Sequence, residues 1–302
     1  MTFATNRFLI VIGLGVIFII GGLVFWLNPS EPEVDTIPEP VIEEEVEPEV
    51  TVPKVESIGT SVENRNIEVY TYGTGEKTLV FVGGMHGGYE WNSVLVAYEF
   101  IDELENGTFT VPEEFTLKII PALNPDGLFK VVQKEGRFLA TDIPPNDAHQ
   151  TGAGRFNSHN VDLNRNFACK WQPESTWRGK TVSAGTSAFS EPESLALKNL
   201  IEKTNPLAVV FWHSQANNVY ASECLNGVLP KTLEIMNAYA KAGGYGAVAS
   251  FDAYPVTGDA EGWLASINIP AITVELEGRT TPEWTRNRAG IEAVIKSFSS
   301  SN

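Results

Sequence analysis

The chain has 302 residues, 43% of them hydrophobic, and its 38 acidic side chains against 21 basic ones give a net charge of −17. That apolar content suffices for a sizeable core in one or two domains. A net-negative surface repels phosphate backbones, so nucleic acid is not an expected partner, and two cysteines exclude both a disulfide-rich scaffold and a four-cysteine zinc site.

Phe8 to Leu27 is a run of 20 uncharged, mostly apolar residues. In a helix it spans roughly 30 Å, the thickness of a bilayer core. It is longer than the core of a cleaved signal peptide and ends Phe25-Trp26-Leu27 without a small-residue cleavage site, which predicts an uncleaved anchor over residues 1–27. Arg7 precedes the run and acids follow it, so the N-terminus is expected in the cytoplasm and the remainder outside. Residues 28–54 hold nine acids, one base and six prolines. Such a stretch buries too little apolar surface to offset its ordering entropy, and an extended linker is expected.

Residues 55–302 alternate between two periodicities. Ile67–Tyr72, Thr78–Val82, Leu117–Leu123, Leu207–Trp212 and Ala271–Leu276 read as strands, several as continuous apolar runs suited to a buried sheet. Val94–Leu104, Glu191–Lys203, Leu229–Ala242 and Trp284–Phe298 have helical spacing. Asn124-Pro125-Asp126-Gly127 reads as a turn. Residues 133–190 are long, polar and irregular, and stretches of that length inside a compact domain are usually functional. The expectation is an α/β domain, with a mixed, mostly parallel twisted sheet flanked by helices and ligands at the strand C-terminal ends.

Two of the four histidines fall at such ends: His86 after the Thr78–Val82 strand and His213 after Leu207–Trp212. Glu90, four residues beyond His86, shares a helical face with it. Two histidines and a glutamate form a three-ligand zinc set with one position open, the catalytic arrangement. Gly83, Gly84, Gly87 and Gly88 would let the backbone pass close to a metal. Further on, Asp162, Asn164 and Arg165 place an acid, an amide and a guanidinium within four residues, and the last two suit carboxylate binding.

These segments, together with Phe189-Ser190-Glu191-Pro192-Glu193, Tyr254-x-x-x-Gly258…Trp263 and Thr273-Val274-Glu275-Leu276, occur in the order in which the M14 family of zinc carboxypeptidases has them, and the chain resembles that family from about residue 60 to 298. The resemblance implies one zinc ion held by His86, Glu90 and His213, with Asp162 orienting the first histidine. It implies that Asn164 and Arg165 grip the substrate's terminal carboxylate, that Arg155 polarises the scissile carbonyl, that Glu275 is the catalytic base, and that Tyr254 closes over the substrate. Glu277 fits the exposed face of the same strand as well as Glu275 does, so the choice between them rests on the resemblance. Glu261 falls where the family places the base of its side-chain pocket, which would favour a basic C-terminal residue or the amino end of a diamino acid.

Three departures stand out. One extra residue separates His86 from Glu90 relative to the common family spacing. The arginine often found between those ligands is replaced by Gly88 or Tyr89, which removes a secondary carboxylate contact. The tyrosine-proline that usually follows the third ligand is replaced by Asn218-Val219-Tyr220-Ala221. Cys169 and Cys224 flank site segments and are compatible with one disulfide or two free thiols. The expected protein is a monomeric, membrane-anchored zinc metallocarboxypeptidase facing outward and acting on peptides. A murein peptidase of the same fold, cutting a γ-D-glutamyl–diaminopimelate bond, is the nearest rival, and a catalytically silent peptide-binding module is the alternative from another class.

Overall fold

The computed structural model describes residues 52–144, 151–251 and 254–299. The expected membrane segment and all but the last three residues of the expected linker lie outside them. Among the described residues no helix is long and apolar enough to cross a membrane.

Eight strands form one mixed sheet: β1 (Lys54–Thr60), β2 (Asn66–Tyr72), β3 (Lys77–Val82), β4 (Phe115–Ile120), β5 (Ala208–Ser214), β6 (Asn218–Ala221), β7 (Gly246–Val248) and β8 (Ala271–Leu276). Their spatial order is β1-β2-β4-β3-β5-β8-β6-β7. The central β4-β3-β5-β8 pairings are parallel, as is β6-β7, whereas β1-β2, β2-β4 and β8-β6 are antiparallel. Among the described residues six helices flank the sheet: α1 (Trp91–Glu105), α2 (Pro125–Val132), α3 (Pro192–Thr204), α4 (Pro230–Gly243), α5 (Ala260–Ser266) and α6 (Trp284–Phe298).

The central strands are covered on both faces, which is why they read as unbroken apolar runs. Leu79, Phe81, Val210, Trp212, Ile272 and Val274 join one core with α1, α4 and α6. Val80, Val82, Val209 and Phe211 point the other way, toward α3 and α5. Phe81 is fully buried between Phe100 and Trp212. Truncating such a side chain to alanine costs about 3–5 kcal/mol.

Asn124-Pro125-Asp126-Gly127 starts a helix instead of a free turn. The Asn124 side chain accepts the Gly127 N–H at 2.8 Å and Pro125 takes the first helical position. Asparagine and proline serve turns and helix starts alike, so their local signal does not separate the two. β4 stops at Ile120, short of the expected Leu123, because Pro121 has no N–H for the ladder. Within the long irregular stretch, Glu174–Trp177 and Lys180–Ser183 form a small antiparallel hairpin.

Candidate active site

The ends of β3, β5 and β8 lie side by side and carry the site. His213 is the sixth residue of β5, not the residue after the strand, and pairs in register with Glu275 of β8. Side-chain alternation puts both on the α3–α5 face, the face of Val209 and Phe211. His86 follows β3 and precedes a short 3-10 turn, Gly87–Glu90, that leads directly into α1. That turn accommodates the extra residue between His86 and Glu90. Ligand atoms of His86, Glu90 and His213 all lie within 4.8 Å of one another, and all three residues are buried.

The glycines of this segment serve backbone packing, a different use from the metal approach expected of them. Gly87 has φ +45, and a Cβ there would sit 2.7 Å from the backbone of Gly127 and Leu128; one at Gly88 would sit 2.5 Å from Val131. Both approaches seat the ligand turn on α2.

Asp162 is fully buried. Its Oδ2 accepts from Arg155 Nε at 3.0 Å and Nη2 at 2.8 Å, and its Oδ1 faces His86 Nδ1 at 3.7 Å, beyond hydrogen-bond reach. Arg155 therefore neutralises Asp162 first, while its Nη1 lies 4.0 Å from Glu90. Asn164 Oδ1 accepts the Ala260 N–H at the start of α5, which leaves the amide NH₂ as the donor. Arg165 is held by its Nη1 bond to the Asn164 carbonyl.

Glu261, buried on α5, accepts from Thr273 Oγ1 at 2.8 Å and stands 3.5 Å from His213 Nε2. It thus flanks a metal-ligand candidate as well as lining the cavity. Tyr254 is 46% exposed and packs edge-on against Phe251 at 4.8 Å, at the cavity rim. Glu275 lines the cavity, whereas Glu277 is exposed and pairs with Arg286, which separates the two candidates for the base. The cavity, about 950 Å³, gathers every site residue proposed from the sequence except Asp162, which lies behind His86. Cys169 and Cys224 form a disulfide with Cα atoms 6.2 Å apart, tying the Asn164–Arg165 loop to the segment after β6.

Arg279 also lines the cavity and was not singled out from the sequence. Its signal is positional: a cation in the turn that follows a parallel strand, where α/β proteins place ligands.

Charge at the site is divided unequally. Burial holds His86 well below the usual histidine range, and the positive charges of Arg155, His213, Arg165 and Arg279 add to the effect. Burial opposes the charged form of His213 too, but Glu90 and then Glu261 outweigh it and push that histidine up to about 10. Its Nδ1 lies 2.9 Å from Glu90 Oε2, so one proton is clasped between the two side chains. Burial raises Glu275 to about 7, reinforced by the Glu90 charge.

Eight buried side-chain polar atoms among the described residues lack a hydrogen-bond partner, and four of them surround this cluster: His86 Nδ1, His213 Nε2, Asp162 Oδ1 and Glu275 Oε2. Buried polar atoms are ordinarily satisfied, so their concentration here marks a place for a bound group. Two imidazoles and a carboxylate, one imidazole held neutral, suit zinc with an open coordination position. The residues present fit that ion.

The solved murein-tripeptide amidase of Escherichia coli O157 superposes with a TM-score of 0.60 at 22% identity, covering 86% of this chain and 98% of that one. Carboxypeptidase A of Helicoverpa armigera gives 0.61 at 21% identity, covering 82% and 68%. In sequence, γ-D-glutamyl-L-diamino acid endopeptidase 1 of Lysinibacillus sphaericus is 26% identical over 245 residues, 74% of this chain and 61% of that protein. Murein peptide amidase A of E. coli K12 is 32% identical over 131 residues, 40% of this chain and 50% of that protein. The chain thus spans between half and two thirds of these curated relatives. The zinc carboxypeptidase profile of the M14 peptidases matches residues 44–293, and the chain belongs to that family.

Proposed function

We propose that the protein hydrolyses the amide bond between a γ-D-glutamyl residue and a diamino acid in peptidoglycan-type peptides, outside the cytoplasm. The observation that carries this reading is the cavity lining. In a chain of net charge −17, Arg155, Arg165, Lys170, Arg178 and Arg279 line one cavity; beyond Glu90 and Glu275 its acids are Glu223, Asp259 and Glu261, of which Glu261 is the most deeply set. Such a lining suits a ligand with several carboxylates and one amino group. A γ-glutamyl diamino acid peptide has that composition; one relative is named for a γ-D-glutamyl-L-diamino acid and another for a murein peptide.

When bound, zinc supplies Lewis acidity to the attacking water and the scissile carbonyl. Glu275 takes a proton from the water and delivers it to the departing amine, so one water is consumed and one acid and one amine are formed. Asn164 and Arg165 orient the leaving-group side through its carboxylate. Arg155, beside Glu90, adds positive charge where the carbonyl oxygen becomes anionic. The disulfide agrees with an oxidising compartment, and Phe8–Leu27 would be the anchor that holds the domain at the membrane surface.

Release of C-terminal residues from ordinary peptides is the second reading, favoured by the Asn164–Arg165 pair. A panel of γ-D-glutamyl-diaminopimelate peptides and α-linked peptides ending in Lys, Arg, Leu or Phe separates the two. Cleavage confined to the γ-linked members is expected. Faster cleavage of the α-linked set would make the second reading the correct one.

A further inference from the structure

Tyr89 is buried beside the ligand Glu90, and three guanidinium groups converge on its ring: Arg279 at 4.4 Å, Arg155 at 5.6 Å and Arg178 at 5.7 Å from the centroid. The arginine missing between the metal-ligand candidates is thus replaced in space by cations from elsewhere in the chain. Their partners differ. Arg155 gives Nε and Nη2 to Asp162 and keeps only Nη1, 4.0 Å from Glu90, toward the site. Arg279 donates from Nε to Gln215 Oε1 at 3.1 Å and from Nη1 to the Tyr89 carbonyl at 3.4 Å, and it forms no ion pair among the described residues. An arginine has five N–H donors, so these two neutral acceptors position the fork and leave its charge for a ligand.

The turn that carries Arg279 is pinned on both sides. Glu283 Oε1 accepts the N–H groups of Glu277 and Gly278 at 2.9 and 3.1 Å. Asn92, fully buried, donates to the carbonyls of Gly278 and Thr281 at 2.9 and 3.2 Å, and its Oδ1 accepts from Ser214, next to His213. The cation is therefore held in place before any ligand arrives, which lowers the entropic cost of binding. It also approaches the triad from a different element than Arg165 does. Arg165 sits in the loop packed on the start of α5, whereas Arg279 rests on Tyr89 and Gln215, which neighbour Glu90 and His213 in sequence.

We propose that Arg279 binds a free carboxylate on the acyl side of the scissile bond, opposite the leaving-group carboxylate held by Asn164 and Arg165. This rests on the γ-glutamyl reading, and it deepens it. An α-linked peptide places a carboxylate near its scissile carbonyl on the acyl side only where the residue before the bond is itself acidic. A γ-linked glutamate leaves its own α-carboxylate there, with three carbons between it and the scissile carbonyl carbon. Arg279 thereby distinguishes a free α-carboxylate from an α-carboxamide.

The test uses the full chain in detergent, loaded with zinc, on two substrates: L-alanyl-γ-D-glutamyl-diaminopimelate and its D-isoglutamine counterpart, which differ only in that α group. Wild type should favour the carboxylate by about 10- to 100-fold in kcat/KM, the range for a charge-assisted hydrogen-bonded pair. Arg279→Gln should bring the ratio toward one, and Arg279→Lys should restore part of it. Equal rates on both substrates in wild type, or an equal loss on both in Arg279→Gln, would overturn the assignment and leave the γ-glutamyl reading standing. If wild type cleaves neither substrate, that reading falls, and calorimetry decides the carboxylate site. Binding of L-alanyl-D-glutamate over L-alanyl-D-isoglutamine that disappears in Arg279→Gln supports it; equal binding of the two overturns it.

Discussion

Glu275 stands directly across from His213 in the parallel pairing of β8 with β5, so the candidate base and a candidate metal ligand are fixed by one strand register. A shift of one residue would turn Glu275 into the opposite core, among Val274 and Leu276. The placement is thus a property of the sheet and needs no loop to hold it.

Glu275→Gln keeps the shape and removes the base. Turnover of any substrate the protein cleaves should fall by about 10²–10⁴-fold, with zinc content unchanged by elemental analysis. Above its raised pKa of about 7 the carboxylate is the competent, deprotonated form, and the cation brought by zinc moves that boundary down. The kcat/KM profile should therefore rise with pH along an acid limb lying below about 7.

Zinc must displace a proton from His213, whose charged form Glu90 and Glu261 favour. With that histidine raised to about 10, the metal-free protein carries the proton throughout the neutral range. Zinc affinity should then weaken by roughly tenfold for each pH unit of acidification. Competition with a chromophoric chelator at pH 6, 7 and 8 measures it, and an affinity flat across that range would show that His213 is not a ligand.

Asp162→Ala would strand the Arg155 guanidinium in a buried site. Removing one partner of such a pair costs about 3–5 kcal/mol, while replacing both together should cost less. A double-mutant cycle with Arg155→Met, read by denaturant unfolding, gives the coupling. A cycle without coupling would mean that the 2.8 Å contact is not formed in solution.

The Cys169–Cys224 bridge closes a 55-residue separation. Changing both cysteines to serine should lower stability by about 2–4 kcal/mol, and reductant should destabilise the wild type alone. Equal sensitivity of the two proteins would contradict it.

Much of this fold was legible because both faces of the central strands are buried: Thr78–Val82 and Leu207–Trp212 are nearly unbroken apolar runs. The missed strands have different surroundings. β1 is an edge strand with most residues exposed, and β6 and β7, toward the opposite edge, are only four and three residues long, so none of the three carries a long apolar signal. α2 was hidden because its cap residues are also turn residues. At the site, order along the chain located His86, Glu90, His213 and Glu275, but pairing between distant segments was not legible. Arg155 on Asp162, Glu261 beside His213 and Arg279 over Tyr89 all depend on tertiary packing. Whether the two cysteines would meet was equally beyond local pattern.

The central claim is that His86, Glu90 and His213 form one zinc centre beside Glu275. Crystals of the zinc-loaded protein measured on both sides of the zinc absorption edge test it most directly. A single strong anomalous peak bonded to all three side chains, which disappears in His86→Ala, is expected. A peak elsewhere, or no zinc bound at the triad in zinc-loaded protein at pH 8, would contradict it.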